Sequence, residues 1–131
     1  MAEQPGGPWV LAPCPLSNNC VSTEATSESQ RVPPVPFTDT PAQALVRARE
    51  ALLAEPRSRI TREAPGQLHG ECKSFLFRFV DDVDIVVDET ARVFRFRSAS
   101  RVGESDLGVN RRRIERIAER LALKGAPSVT P

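Results

Sequence analysis

Tyrosine is absent from this chain, histidine occurs once, lysine twice and cysteine 3 times. Each shortage removes a class of function. Without tyrosine, and with Phe94 and Phe96 assigned to the core by their alternation, polar positions carry none of the stacking rings that a single-strand nucleic-acid binder needs. His69 is the sole imidazole, and no spacing ties it to a serine, which argues against a serine hydrolase. An excess of one charge is lacking too: 18 Lys and Arg stand against 17 Asp and Glu, for a net charge of +1. Such a chain has no general attraction for nucleic acid or an anionic membrane. No run approaches the roughly 18 apolar residues of a membrane span. Met1 to Val10 shows neither a basic region nor an apolar region of a secretory signal, which makes the cytoplasm the expected location.

What is present is ordinary globular composition, 40% hydrophobic and 27% charged over 131 residues, enough for one domain with its own core. The 12 prolines crowd into the first third and the last few residues. Residues 1–38 are therefore expected to form an irregular arm, 39–125 a single domain and 126–131 a tail. Because Lys73 and Lys124 are the only lysines, nearly all positive charge is arginine, whose planar fork suits bidentate pairing with carboxylate or phosphate.

Within the arm, Cys14 and Cys20 bracket a turn-prone segment of proline and asparagine. A disulfide, two free thiols, or a metal site drawing on His69 and Cys72 are the alternatives. The turn is expected to bring the two cysteines within disulfide reach, with Cys72 buried and unpaired. Thr40-Pro41-Ala42-Gln43 then combines an N-cap hydroxyl, proline at the first helical position and glutamine at the third, which opens a helix. Leu45, Ala48, Ala51 and Leu52 form its apolar stripe, and Pro56 stops it near Ala54.

Four strands are expected next. Arg57 to Ala64 and Leu68 to Ser74 flank Pro65-Gly66, which fits the centre of a type II turn. Asp81 to Asp88 and Ala91 to Ser98 join through a tight Glu89-Thr90 turn. Pairing residue 87 with 92 sets Val83 opposite Phe96 and Ile85 opposite Phe94 on one face, and Asp84 opposite Arg95 and Asp82 opposite Arg97 on the other. A second helix runs from an Asn110 N-cap to about Lys124, with Ile114, Ile117, Ala118 and Leu121 inward. The predicted fold is α+β: helix, four-stranded antiparallel sheet, helix, with both helices on one sheet face.

Between the last strand and the last helix lies a polar, glycine-punctuated loop. Asp81, Arg97, Ser98, Ser100, Arg101, Asp106, Asn110 and Arg111 are the candidate binding residues, grouped where a helix N-terminus favours an anion. Arg111, Arg112 and Arg113 sit in the first helical turn, where the dipole disfavours cations, so an anion or an acidic side chain is needed nearby. Asp81, Asp82, Asp84 and Asp88 resemble a metal or acid-base set, but cross-strand arginines account for Asp82 and Asp84. No metal and no cofactor are expected. The leading functional expectation is a non-enzymatic domain that binds a small anion or an acidic partner protein. The alternative is a small hydrolase or metal-assisted enzyme using Asp81, Asp82 and the Ser98 to Arg101 segment.

Three blocks carry a family resemblance: Leu11-Ala-Pro-Cys-Pro-Leu-Ser-Asn-Asn-Cys-Val-Ser-Thr23, Phe79-Val-Asp-Asp-Val-Asp84, and Arg97-Ser-Ala-Ser-Arg-Val-Gly103 with Asp106-Leu-Gly-Val-Asn-Arg-Arg-Arg-Ile-Glu115. They are similar to the domain of unknown function 1499 family, small bacterial and plastid proteins without an established activity. Asn18 stands where that family usually has proline, Asp84 where it has glutamate and Glu104 where tyrosine is common. The resemblance implies no catalytic residues. It sets an exported, lipid-anchored or plastid location against the cytoplasmic one.

Overall fold

In the computed structural model the elements run β1 (Cys20–Ser22), β2 (Val35–Pro36), α1 (Pro41–Leu53), β3 (Ser58–Ala64), β4 (Gln67–Lys73), β5 (Val80–Asp88), β6 (Val93–Ser100) and α2 (Val109–Gly125). The structure describes residues 10–16, 19–75, 78–102 and 108–125, with 123–125 described by backbone alone. The protein is α+β, with two helices and a six-stranded antiparallel sheet in the order β1-β6-β5-β4-β3, where β2 also pairs with β6.

The predicted count of four strands is thus corrected to six, and the two added strands come from the arm. Neither β1 nor β2 shows a sustained alternation of its own. Both exist because β6 offers them an edge, with Val21 opposite Ser98 and Val35 opposite Phe94. The arm also supplies Val21, Val32 and Phe37 to the core. The helices divide the sheet: α1 lies over β3, β4 and β5, and α2 over β6, β1 and β2, the two helices meeting each other. Ala44, Ala48, Ala51 and Leu52 of α1 and Ile114, Ile117 and Leu121 of α2 close over Leu68, Val83, Ile85, Phe94 and Phe96.

Local chemistry explains the ends of several elements. Thr40 accepts from the Gln43 backbone N–H while Gln43 accepts from that of Thr40, so two orphan donors of α1 are satisfied reciprocally. Gly66 has φ +73°, as the third residue of a type II turn requires, and joins Ala64 to Gln67. Gly70 answers a close approach instead, because a Cβ there would come within 2.7 Å of the Arg59 carbonyl and 2.8 Å of Leu52 Cδ2.

The β5–β6 register differs from the predicted one by two residues. Asp84 lies opposite Arg97, Asp82 opposite Ala99, Val83 opposite Ser98, and Ile85 opposite Phe96. A shift of two leaves each side chain on its predicted face, so Val83, Ile85, Phe94 and Phe96 still share the core face. The cause lies in the turn. Asp88 Oδ1 accepts from the Thr90 and Ala91 N–H groups, and Arg92 takes φ +62°, which makes a four-residue turn out of the expected two.

On the face away from the helices the arm lays a strap. Cys14 and Cys20 are joined by a disulfide, Cα to Cα 5.7 Å, and Cys20 lies opposite Ala99 on β6. Leu11 is buried, and the Pro13 carbonyl accepts from Arg97 Nη2 at 3.2 Å. Cys72 is free and buried on the opposite face. The alternative of a metal site from Cys14, Cys20, Cys72 and His69 is not assembled, and the described residues contain no group of three possible ligands. With a sequence separation of 6, Cys14→Ser should cost about 2 kcal/mol by loop-closure entropy. Thermal unfolding with and without reductant measures this, and equal melting temperatures would contradict it.

Candidate functional site

The predicted cluster separates into two, because neighbouring residues on a strand point to opposite faces. Asp81, Ser98, Ser100 and Asn110 lie on the helix side. Asp81 sits opposite Ser100 and is held by Arg113 at 2.9 Å, with the side chains of both nearly closed to solvent at 11% and 8% exposure. Arg113 Nη1 also donates to Asn110 Oδ1 at 2.8 Å and to Ser98 Oγ at 3.2 Å. Ser98 Oγ donates to Asn110 Oδ1 at 2.6 Å, and Asn110 Nδ2 donates to Ser100 Oγ and to the Asn19 carbonyl. The strand, the helix and the arm are therefore locked together by one buried polar network.

That network corrects the role expected of Asn110. α2 begins at Val109, one residue earlier, so Asn110 is inside the first turn and fully buried rather than the N-cap. It also answers how the arginine run is tolerated at a helix start. Arg113 is neutralised by Asp81, and Arg111 Nη2 donates to the carbonyls of Ser29 and Arg31. Asp106 lies outside the described residues.

Arg97 and Arg101 belong to the other face. Arg101 grips Asp82 with Nε at 2.8 Å and Nη2 at 2.9 Å, and Nη2 reaches Glu71 Oε2 at 2.7 Å. These hydrogen bonds hold the carboxyls of Asp82 and Glu71 below their ordinary range and push the guanidinium of Arg101 up. Next in the row, His69 lies between two carboxylates, Nδ1 2.6 Å from Asp84 Oδ1 and Nε2 3.2 Å from Asp82 Oδ1. Both ring nitrogens thus face carboxylates, while the hydroxyls of Ser98 and Ser100 lie across the sheet. Arg95 pairs with Asp88 at 2.9 Å and Glu24 at 3.2 Å, and not with Asp84 as the predicted register has it. Arg97 Nε is the single buried side-chain nitrogen or oxygen without a hydrogen-bond partner among the described residues.

A third polar region was not anticipated from the sequence. At the β3–β4 end, Arg57, Ser58, Arg59, Glu71, Lys73 and Arg78 line a groove of about 300 Å³. Four of the six are cations. The one carboxylate, Glu71, is already taken by Arg101 at 2.7 Å and approached by Arg59 at 3.3 Å. Among the described residues the groove's ion pairs are those of Glu71 with Arg59 and Arg101, and none involves Lys73 or Arg78. Arg57 and Arg78 both hold left-handed backbone, φ +53° and +62°, which for a non-glycine residue is sparsely populated and is found disproportionately at functional sites.

Residues 10–121 match the family described as Protein of unknown function (DUF1499), a span that takes in every strand and most of α2. The chain belongs to the DUF1499 family. No curated protein matches it. In this DUF1499 domain the arginine-containing loop and its aspartate strand serve two internal networks, one on each sheet face. The groove escaped sequence reasoning because its cations come from positions 57, 59, 73 and 78, which only the β3–β4 pairing and the approach of β5 bring together. The sequence signal that bears on it is Lys73, one of two lysines in an arginine-dominated chain.

No helix among the described residues is long and apolar enough to cross a membrane.

Proposed function

We propose that this DUF1499 domain is a non-enzymatic binding domain that recognises an acidic group, and that the group is taken by the groove of Arg57, Arg59, Lys73 and Arg78. One observation carries the reading: four cations line one groove whose single carboxylate is engaged elsewhere. An acidic ligand there would meet donors not yet used in ion pairs at Lys73 and Arg78, and arginine's fork favours a carboxylate or phosphate. The loop around Ser98 to Arg101 is less suited to the task, since its charges are met internally. The enzyme alternative needs Asp81, Asp82 and the serines on one side of the sheet. Asp81 and the serines face the helices, and Asp82 faces away. The Cys14–Cys20 disulfide supports an oxidising compartment over the cytoplasm.

Inorganic phosphate or citrate should raise the melting temperature by mass action, by about 2.7 kcal/mol of stability at 100 times the Kd. Lys73→Ala combined with Arg78→Ala should remove the increment. Arg101→Ala should lower the melting temperature of the ligand-free protein and, by releasing Glu71 to the groove, reduce the increment without removing it. An increment lost with Arg101 but kept without Lys73 and Arg78 would return the site to the loop, and no increment from either anion would reject the groove.

A further inference from the structure

Two exposed aromatic side chains flank residues of the groove. Phe75 is 74% exposed and Phe79 51% exposed, whereas Phe37, Phe94 and Phe96 are all but completely buried. Thus the two described phenylalanines that face water both sit in the β4–β5 connection, beyond the last pair of those strands, Lys73 and Val80. One exposed apolar side chain needs no explanation, but two exposed rings in the same connection make an apolar patch that a partner can cover. Both residues are anchored at their own ends: Phe79 N–H donates to Ser74 Oγ at 2.9 Å, and the Arg57 guanidinium lies 5.5 Å from the Phe75 ring centre.

The charge beside these rings is mostly positive. Arg57, Arg59, Lys73 and Arg78 line the groove, and Glu71 is turned to Arg101. A bilayer interface matches this chemistry, taking aromatic rings at headgroup depth while acidic headgroups meet the cations beside them. The overall charge of +1 supplies little steering, and the attraction is confined to this end of the sheet.

We infer that the β4–β5 end of the domain docks on an anionic lipid surface, Phe75 and Phe79 entering the headgroup boundary and Arg57, Arg59, Lys73 and Arg78 meeting acidic headgroups. This rests on the groove being the anion site proposed above.

Cosedimentation of the full chain with vesicles tests it. Equimolar phosphatidylcholine and phosphatidylglycerol should bind the protein, and phosphatidylcholine alone should not. Lys73→Ala with Arg78→Ala should weaken binding by about 30-fold, the loss of two cations' attraction to an anionic surface. Phe75→Ser with Phe79→Ser should weaken vesicle binding about tenfold or more while inorganic phosphate still raises the melting temperature, since the rings and not the cations are removed. Phe75, Arg78 and Phe79 are exposed and Lys73 is half-buried, so both double variants should melt close to the wild type. Equal binding to both vesicle types, or wild-type binding by the phenylalanine variant, would overturn membrane docking. Failure to bind mixed vesicles with phosphate stabilisation intact would overturn docking and leave the groove standing, and failure of both would remove groove and docking together.

Discussion

Arg113→Met should lower the stability of this domain by about 3–5 kcal/mol, because it leaves the Asp81 carboxylate buried without its counter-charge. The guanidinium is within 2.9 Å of that carboxylate, and it is also the donor that orients Asn110 and Ser98. A domain of this kind has about 5–15 kcal/mol in all, so the loss is a large share. Removing the carboxylate as well should reverse most of it: Asp81→Leu with Arg113→Met replaces a buried pair by apolar side chains, which is commonly neutral or better. Urea titration of the two single variants and the double variant gives the coupling directly. A double variant no more stable than Arg113→Met would show that the hydrogen bonds to Asn110 and Ser98, and not the charge, carry the cost.

Arg116→Ala with Arg120→Ala should be of similar size, about 3–5 kcal/mol near neutral pH, for the same reason at a second place. Glu55 follows α1 with its side chain only 1% exposed, and it accepts from Arg116 at 2.7 Å and Arg120 at 2.6 Å. Burial pushes this carboxyl up, but the hydrogen bonds of the two arginines outweigh burial and hold it below the ordinary glutamate range. In the wild type, Glu55 therefore contributes stability that is fully present above the unfolded-state pKa of about 4.3 and is lost as pH falls through the lower folded value. Without the arginines, burial acts unopposed and the folded pKa lies above the unfolded one. The sign then reverses: the variant's deficit is largest at neutral pH and shrinks as acidification protonates the buried carboxyl. Chemical denaturation of both proteins at neutral and mildly acidic pH measures the difference. A deficit that stays constant or grows toward acid would contradict the assignment.

The two networks show how far the candidate site was legible. Asp81, Ser98, Ser100 and Asn110 were picked out together and do assemble, yet they assemble around Arg113, which the sequence shows only as the third member of an awkward cationic run. Arg101 and Asp82 meet as well, on the opposite face. Alternation along β5 already places Asp81 and Asp82 on opposite sides, so the single cluster was excluded by a rule visible in the sequence. Arg116 and Arg120, four apart, share a face of α2 by the same kind of rule. Their partner Glu55 is some 60 positions away in the chain and has no local signature.

What the sequence by itself determined are features whose causes lie within a few residues: the capped start of α1 at Thr40, the Pro65-Gly66 turn, the inward stripes of both helices and the face on which each residue of β5 and β6 lies. Period and capping are short-range effects, and nothing distant alters them. Only the tertiary structure decided the rest. The register of β5 on β6 turned on whether Asp88 caps a turn of two residues or four. β1 and β2 became strands because an exposed edge of β6 was there to pair with, a choice their own residues do not encode. The basic groove exists because β3, β4 and the start of β5 converge, which puts four cations on one surface without any of them being neighbours in the chain. Pairing and burial are settled by the free energy of the whole assembled sheet, and that quantity cannot be read from any window of the sequence.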